Sequence, residues 1–294
     1  MLDSTPRRAR SEEALSSHYW DDSWLHPTVA VLVTQLSPAL TTMSAEQIQA
    51  LSAYSACDIA DALLKLGVPG AGFLPDIKPI PSSPSPPPTI ADGTIPTLAP
   101  PRKLIARAST ALFIAKNSDS FPEAVPPLAA ISQSLSTGFS NIPSGTPYAD
   151  LTMPDTILII SQPHGQSCAV VGGIMAQRMV KLGARGIVVD GRVRDLETLR
   201  GLNVPIWTKG TSIVGAAGEA KAWAVDVQIY VGGVSIEPGD LVMIDPAENG
   251  VVAIPNQALD EVLRMLPKLV EADENVMAMV ISGGEVGEAF RRFR

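Results

Sequence analysis

Cysteine, histidine and charged residues are all scarce in this chain of 294 residues, and each shortage excludes a class of protein. The two cysteines, Cys57 and Cys168, are too few for a disulfide framework or a thiolate zinc site, which favours a reduced, cytoplasmic protein. The three histidines, His18, His26 and His164, lack the spacing of a zinc-binding pair. Charged residues make up 18% of the chain and the net charge is -8, so the sequence offers no basic surface for nucleic acid.

Long apolar runs are absent as well. No stretch approaches the ~20 apolar residues that cross a membrane, and the first residues contain no apolar run of signal-peptide length. We therefore expect a protein with no membrane partner.

Proline, by contrast, is concentrated between Pro79 and Pro101, where its fixed φ and missing N–H exclude a helix or a central strand. We interpret this stretch as an insertion, because the segments on either side of it need each other to form one core. The predicted organisation is an N-terminal extension over residues 1–43 and a single domain over residues 44–294, with the insertion at about 79–101.

The domain is organised around residues 172–195, which read GGIMAQRMVKLGARGIVVDGRVRD. A glycine pair opens a run with apolar residues at helical spacing, and Gly183 and Gly186 end it. The run Ile187–Val189 is short, β-branched and apolar, which predicts a buried strand. Further predicted strands and an amphipathic helix over Leu259–Val280 complete the pattern of a layered α/β domain.

A cluster of charge follows the predicted buried strand. Ligands of α/β proteins bind beyond the carboxyl ends of strands, and the backbone amides at a helix start attract anions. We therefore expect a ligand site where the strand end meets the start of the helix. The charged residues are Asp190, Arg192, Arg194 and Asp195, and the amides belong to Gly172, Gly173, Ile174 and Met175.

Arg194 and Asp195 are the candidates for chemistry. The guanidinium of Arg194 matches a carboxylate in two parallel hydrogen bonds, as in an α-keto acid clamp, or it forms a structural salt bridge to Asp190 or Asp195. Asp195 offers a hard oxygen ligand to Mg²⁺ or Mn²⁺, ions that keep several waters around one or two carboxylates. It is also placed to cap a helix over residues 196–201, and the two roles are compatible.

Other polar residues have a more ordinary interpretation. Asp58 and Asp61 share a face of a helix predicted over Ser55–Leu66, where a cap and a solvated position are favoured over a pair of metal ligands. Lys181, on the polar side of its helix, and Lys209, in a predicted turn, are weak candidates for a Schiff-base nucleophile. The G-x-G-x-x-G pattern is absent, so we expect no nicotinamide cofactor.

Three segments carry a resemblance to a known family: LSAYSACDIADALLKLGVPG, AVVGGIMAQRMVKLGARGIVVDGRVRDLETLRGLNVPIWTKGTS and VGGVSIEPGDLVMIDPAENGVVAIP. The second contains a G-x-V-R-D signature between a strand and a loop. Together they resemble the RraA-like family over roughly residues 45–290, apart from the proline-rich insertion. That family includes class II 4-hydroxy-4-methyl-2-oxoglutarate aldolases, oxaloacetate decarboxylases and a ribonuclease E regulator.

The resemblance implies an α-β-β-α sandwich of the swivelling-domain type, assembled as homotrimers or hexamers with sites at subunit contacts. It implies that Arg194 binds the carboxylate or keto oxygen of a pyruvyl group and that Asp195 holds Mg²⁺ or Mn²⁺. The backbone of Gly172 to Met175 would receive the carboxylate. The implied reaction is cleavage of a carbon–carbon bond beside a carbonyl, with the metal as a Lewis acid that stabilises a pyruvate enolate.

One position departs from the family pattern. Aldolase members carry an acidic residue twenty-one positions before the arginine, and here Gly173 occupies that position. Its loss weakens the case for aldol cleavage and favours oxaloacetate decarboxylation, because carbon dioxide leaves without removal of a hydroxyl proton. Glu271, Asp273 or Glu274 of a neighbouring subunit could supply a carboxylate instead.

The sequence therefore predicts a metal-dependent lyase acting on a small α-keto acid, and two alternatives stay open. One is a lyase or isomerase of a biosynthetic pathway, whose larger substrate would fit a pocket shaped by the insertion. The other is a non-catalytic regulatory or binding protein that keeps the fold.

Overall fold

The computed structural model describes residues 45–81, 103–120 and 139–294. Its helices are α1 (Ala45–Ser52), α2 (Ala56–Lys65), α3 (Gly173–Lys181), α4 (Leu196–Arg200), α5 (Leu259–Ile281) and α6 (Val286–Phe293). Its strands are β1 (Lys78–Pro79), β2 (Leu104–Ala115), β3 (Thr156–Ser161), β4 (Gly186–Val193), β5 (Ile206–Thr211), β6 (Ala220–Val225), β7 (Ile229–Val231), β8 (Val234–Ile236), β9 (Leu241–Asp245) and β10 (Gly250–Ile254). None of the helices in these ranges is long and apolar enough to cross a membrane.

One mixed sheet contains eight of the strands, in the order β1-β5-β4-β3-β2-β9-β10, with β6 also paired to β2. Strands β2 to β5 run parallel to one another, and α3 is the crossover between β3 and β4. The long strand β2 joins the two halves of the sheet, because its first residues pair with β9 and its last residues with β6. Strands β7 and β8 form a separate hairpin.

The two halves of the sheet enclose an apolar core. Ile157 and Ile159 on one face of β3 belong to the same buried cluster as Val242 and Ile244 of β9. This cluster also includes the hairpin residues Ile229 and Val231 among its members. Burial of a whole sheet face in this way is the main apolar contribution to stability.

Helices cover the two outer faces of the sheet. On β3 the alternate residues Leu158 and Ile160 pack with Met179 of α3. On β9 the alternate residue Met243 packs with α2 and α5, through Leu63 and others. The order helix, sheet, sheet, helix confirms the predicted α-β-β-α sandwich.

Helix α2 begins with a reciprocal cap. The Ser55 hydroxyl accepts from the Asp58 amide, and Asp58 Oδ2 accepts from the Ser55 amide at 2.8 Å. Asp61 Oδ2 lies 3.6 Å from the guanidinium of Arg294. Asp58 is therefore a cap, as favoured from the sequence, and the described residues contain no group of three or more acidic, histidine or cysteine side chains that could hold a metal.

The buried strand predicted at Ile187–Val189 is confirmed within β4, whereas one turn prediction is wrong. Lys209 was predicted in a turn, but β5 continues through it to Thr211, because its backbone pairs with the charged end of β4. Pro79 lies in the two-residue edge strand β1, a place that tolerates proline.

Several predictions fall on parts of the chain outside the described residues. These are the N-terminal extension, the insertion beyond Pro81 and an apolar helix expected around Val125–Leu135. The division into an extension and a single domain stays a prediction.

Candidate active site

Helix α3 begins at two glycines. Gly172 precedes it in extended backbone, with φ -126° and ψ 176°, and Gly173 is its first residue. The N-cap residue Gly172 provides no side-chain cap, and the first internal hydrogen bond of the helix runs from the Ala176 amide to the Gly172 carbonyl. The amides of Ile174 and Met175 therefore have no partner within the helix and offer two donors to an anion.

The turn after β4 brings Asp195 to this helix start. Asp195 has left-handed backbone angles, φ 63° and ψ 46°, and occupies the N-cap position of α4. Its side chain makes no cap bond to α4. Instead, Asp195 Oδ2 accepts a hydrogen bond from the Gly173 amide at 3.0 Å. The predicted position at the helix start is confirmed, whereas the side chain serves the neighbouring helix.

Arg194 lies at the same place. Its amide donates to the Val171 carbonyl at 2.9 Å, which fixes the backbone next to Gly172. Its Nε lies 3.9 Å from Asp195 Oδ2, and the two side chains are 44% and 46% exposed. A long, half-exposed pair of this kind contributes little to stability, so the guanidinium keeps donors for a ligand.

Gly172 and Gly173 both lie very close to neighbouring side chains. A Cβ on Gly172 would come 2.9 Å from Asp195 Oδ2 and 3.1 Å from Arg194 Nε. A Cβ on Gly173 would come 2.8 Å from Cγ2 and 2.9 Å from Cβ of Thr198 in α4. The packing of α4 on the start of α3 therefore explains why no acidic side chain stands at position 173.

Asp190 and Lys209 form a separate ion pair. Asp190 is 2% exposed, and its Oδ1 lies 2.5 Å from Lys209 Nζ. The alternative in which Arg194 bridges to Asp190 is therefore wrong. Lys209 is paired with a buried carboxylate, whereas a Schiff-base lysine needs apolar or cationic surroundings.

Two other predicted residues already have partners. Arg192 donates to the carbonyls of Gln166 and Thr211. Asp273 of α5 is paired with Arg294, whose Nε lies 2.5 Å from Asp273 Oδ1.

A second polar site lies in a cleft that shares no residue with this region. The cleft is lined by Leu66, Val68, Pro69, Val234, Ser235, Glu237, Asp240, Pro255, Gln257, Ala258 and Glu261. Asp240 is 4% exposed and accepts from the amides of Glu237 at 2.8 Å and Asn256 at 2.9 Å. Burial outweighs these bonds and raises the pKa of Asp240 to about 6.

Asp195 can provide one ligand to a hydrated Mg²⁺ or Mn²⁺ ion, but not the complete set of protein ligands that encloses a metal. Asp195 Oδ2 is used by the Gly173 amide, whereas its Oδ1 makes no hydrogen bond to the described residues. One carboxylate oxygen, water and an oxygen-rich substrate form an ordinary magnesium shell.

Two contacts at this site were missed from the sequence. Gly215 lies under Arg194, where a Cβ would come 3.3 Å from a terminal guanidinium nitrogen. Thr198 packs against Gly173. Both contacts join segments that are distant in sequence, and no local pattern marks them.

The structure thus brings an arginine, a carboxylate and a helix start together at one strand end of an α/β sandwich. The sequence profile of the RraA-like family, described as Aldolase/RraA, matches residues 56–253, which is more than half of the chain. The chain belongs to the RraA-like family.

Two curated relatives illustrate the range of the family. Protein DlpA of Legionella pneumophila is 28% identical over 144 residues, which cover 48% of this chain and 23% of DlpA. A Halalkalibacterium halodurans protein, provisionally named as a 4-hydroxy-4-methyl-2-oxoglutarate aldolase, is 33% identical over 129 residues, or 44% of this chain and 60% of that protein. The matched segment thus spans less than two thirds of either relative.

Solved structures share the fold. A protein of Pseudomonas syringae pv. tomato aligns with a TM-score of 0.58 at 21% identity, covering 85% of this chain and 98% of the other. RraAS2 of Streptomyces coelicolor, described as an unusual member of the RNase ES inhibitor RraA protein family, aligns with a TM-score of 0.56 at 24% identity, covering 79% and 96%. At these identities the likeness supports the fold alone.

Proposed function

We propose that this protein is a divalent-metal-dependent lyase that cleaves a carbon–carbon bond beside the keto group of a small α-keto acid. Oxaloacetate decarboxylation is the favoured reaction, ahead of cleavage of a 4-hydroxy-2-oxo acid. The observation that carries the proposal is the meeting of Arg194 and Asp195 with the start of α3 at one strand end, where the amides of Ile174 and Met175 have no partner within the helix.

The groups at this place suit an α-keto carboxylate. The amides of Ile174 and Met175 would receive the carboxylate, and the fork of Arg194 would donate to the carboxylate or the keto oxygen. Asp195 would hold Mg²⁺ or Mn²⁺ through its Oδ1 and water. When bound, the ion would supply Lewis-acid polarisation of the keto group.

Decarboxylation needs little more from the protein. The bond to the departing carboxylate breaks, its electron pair moves towards the keto carbon, and carbon dioxide leaves. The positive charge of Arg194 stabilises the enolate oxygen that develops, and water protonates the enolate carbon to give pyruvate. No base is needed to remove a hydroxyl proton, which agrees with the absence of an acid at Gly173.

The test measures pyruvate release from oxaloacetate with Mg²⁺, with EDTA, and in an enzyme-free blank containing the same Mg²⁺. Arg194→Lys keeps the charge but loses the fork, so we expect kcat/KM to fall roughly 10- to 100-fold, the size of a lost charge-assisted hydrogen bond. Asp195→Asn should abolish the metal-dependent rate. Arg178→Lys is the matched control, because Arg178, on α3, forms a similarly exposed pair with Asp150 of the segment Tyr148–Leu151.

The outcomes separate the candidate functions. No metal-dependent rate above the blank would count against decarboxylation. If the protein is inactive on oxaloacetate but still binds oxalate with Mg²⁺ through Arg194, a larger α-keto acid replaces oxaloacetate as the proposed substrate.

A second candidate function is a binding protein that keeps the fold without chemistry, favoured by Gly173, where the packing of Thr198 leaves no room for the acid of the aldolases. Calorimetry distinguishes it, since such a protein should show no coupled binding of Mg²⁺ and oxalate, a planar analogue of the pyruvate enolate.

We also propose a homotrimeric or hexameric assembly. Its support is the exposure of apolar side chains on segments near the site, where Ile174 is 82% exposed, Ile213 94% and Val214 48%. Light scattering after size-exclusion chromatography tests it, and a monomer at micromolar concentration would contradict it.

A further inference from the structure

Strand β4 contains one residue more than β5 over the same length. Val189 pairs with Thr208, and Arg192 pairs with Gly210, so three steps along β4 match two along β5. The extra residue forms a β-bulge at Asp190 and Gly191, just before the chain reaches Arg194. Bulges beside functional sites commonly redirect the side chains that follow them.

Side chains from both neighbouring strands fasten the bulge. On one side, Lys209 Nζ lies 2.5 Å from Asp190 Oδ1, and the Thr208 hydroxyl donates to the Gly191 carbonyl at 2.9 Å. Apart from the Lys209 ammonium, no donor of the described residues reaches either carboxylate oxygen of Asp190, so Lys209 is what compensates this buried charge.

On the other side, Gln162 follows β3, and its side-chain amide packs against the bulge. Its Oε1 accepts from the Arg192 amide at 2.9 Å, and its Nε2 donates to the Cys168 carbonyl at 2.9 Å. Gly191 lies against this amide so closely that a Cβ would come 2.2 Å from Gln162 Oε1. The bulge is thus held at the Asp190 side chain, the Gly191 carbonyl and the Arg192 amide.

We propose that Lys209 and Gln162 are positioning residues, which hold this bulge and thereby set where Arg194 and Asp195 lie beside the start of α3. If the bulge closed, every later residue of β4 would shift by one position against β5, a displacement of ~3.3 Å. Asp195 would then lose the Gly173 amide, and Arg194 would leave Gly215. The inference deepens the proposed function, since it concerns the same site.

A purely structural role is the competing explanation, and the chain contains a matched control for it. Lys103 lies 3.7 Å from Asp245, and the two side chains are 24% and 1% exposed, against 23% and 2% for Lys209 and Asp190. Lys103→Met and Lys209→Met therefore each remove an ammonium from a buried aspartate. The Lys103 pair joins β2 to β9, and neither residue contacts the bulge.

The first readout is independent of activity. Hydrogen exchange of the Gly173 amide, followed by NMR, reports whether Asp195 still accepts its bond. We expect Lys209→Met to accelerate this exchange about tenfold or more, the size of one lost bond to a carboxylate, while Lys103→Met leaves it unchanged and Lys209→Arg restores it. Unchanged exchange in Lys209→Met would overturn the inference, as would equal acceleration in both methionine variants.

The second readout is affinity for Mg²⁺ and oxalate by calorimetry. Lys209→Met should weaken it about 100-fold, the size of one to two lost hydrogen bonds to charged groups, with Lys103→Met close to wild type. If Lys209→Met fails to fold, the double variant Asp190→Asn/Lys209→Met removes both charges and is used in its place. The two proposals can fail separately. If Lys209→Met accelerates Gly173 exchange but the wild-type protein neither binds oxalate nor releases pyruvate, the proposed function is wrong and the inference stands.

Discussion

Replacing Gly172 with alanine should damage the candidate site while leaving the fold intact. The added Cβ would come 2.9 Å from Asp195 Oδ2 and 3.1 Å from Arg194 Nε. Both atoms belong to side chains that are nearly half exposed, so they can move away without any shift of the backbone. The perturbation therefore falls on the two groups proposed to bind metal and substrate.

The free-energy terms can be compared. The extended backbone at Gly172 suits alanine, and such a replacement stabilises by about 0.4–1 kcal/mol through the unfolded chain. Forcing Arg194 off its rotamer costs about 0.5–1.5 kcal/mol. Loss of the Gly173-to-Asp195 bond costs less than the roughly 1.5–3 kcal/mol of a buried charged bond, because Asp195 is solvated. The free energy of unfolding should therefore change by less than about 2 kcal/mol, while oxalate affinity falls tenfold or more.

The assay pairs calorimetry of Mg²⁺ and oxalate with denaturant unfolding. Gly72→Ala is the control, because its Cβ would come 2.2 Å from the Ala253 carbonyl oxygen at a φ of 69°. There the rigid backbone must yield, so that variant should lose several kcal/mol of stability, ~2–5, and keep wild-type affinity while folded. Wild-type oxalate affinity in Gly172→Ala would refute the reasoning, since Arg194 and Asp195 would not need to lie against Gly172.

Two further predictions concern acidic positions. Gly173→Asp should lower the free energy of unfolding by about 1–3 kcal/mol, because the new side chain clashes with Thr198, and it should gain no aldol cleavage. Denaturant unfolding and pyruvate release from a 4-hydroxy-2-oxo acid measure the two effects. A stable, aldol-active variant would contradict this. Burial raises the pKa of Asp240 from 3.8 to about 6, so its contribution to stability is present below pH 3.8 and is lost as pH rises through 6. The free energy of unfolding of Asp240→Asn, relative to wild type, should therefore be up to about 3 kcal/mol higher at pH 7 than at pH 4. An equal difference at the two pH values would contradict this.

Local signals made much of the architecture predictable. The glycines around α3 and the β-branched residues of β4 fixed a helix and a buried strand, because these preferences act within a few residues. The amphipathic helix predicted over Leu259–Val280 is observed at Leu259–Ile281 for the same reason. The proximity of Arg194 to Gly172 followed from the general rule that strand ends and helix starts meet at one edge of a sheet.

Non-local contacts were beyond the sequence. Lys209 was placed in a turn because glycine and threonine flank it, but pairing with a bulged neighbour keeps it in β5. The side chain of Asp195 was expected to cap its own helix, yet the Gly173 amide offers a better-placed donor. The contact between Thr198 and Gly173 depends on how two helices pack, which no spacing in the chain reveals.

The left-handed backbone of Asp195, at φ 63°, limits which residues can replace it. Asparagine and glycine adopt this conformation readily, whereas alanine pays roughly 1–2 kcal/mol for the crowding of its Cβ. An alanine scan would thus mix a change in local geometry with the loss of a ligand at this position. Asparagine removes the charge of Asp195 but keeps the shape of its side chain and tolerates its backbone angles. Asparagine is therefore the substitution that we expect at this position in natural or designed variants.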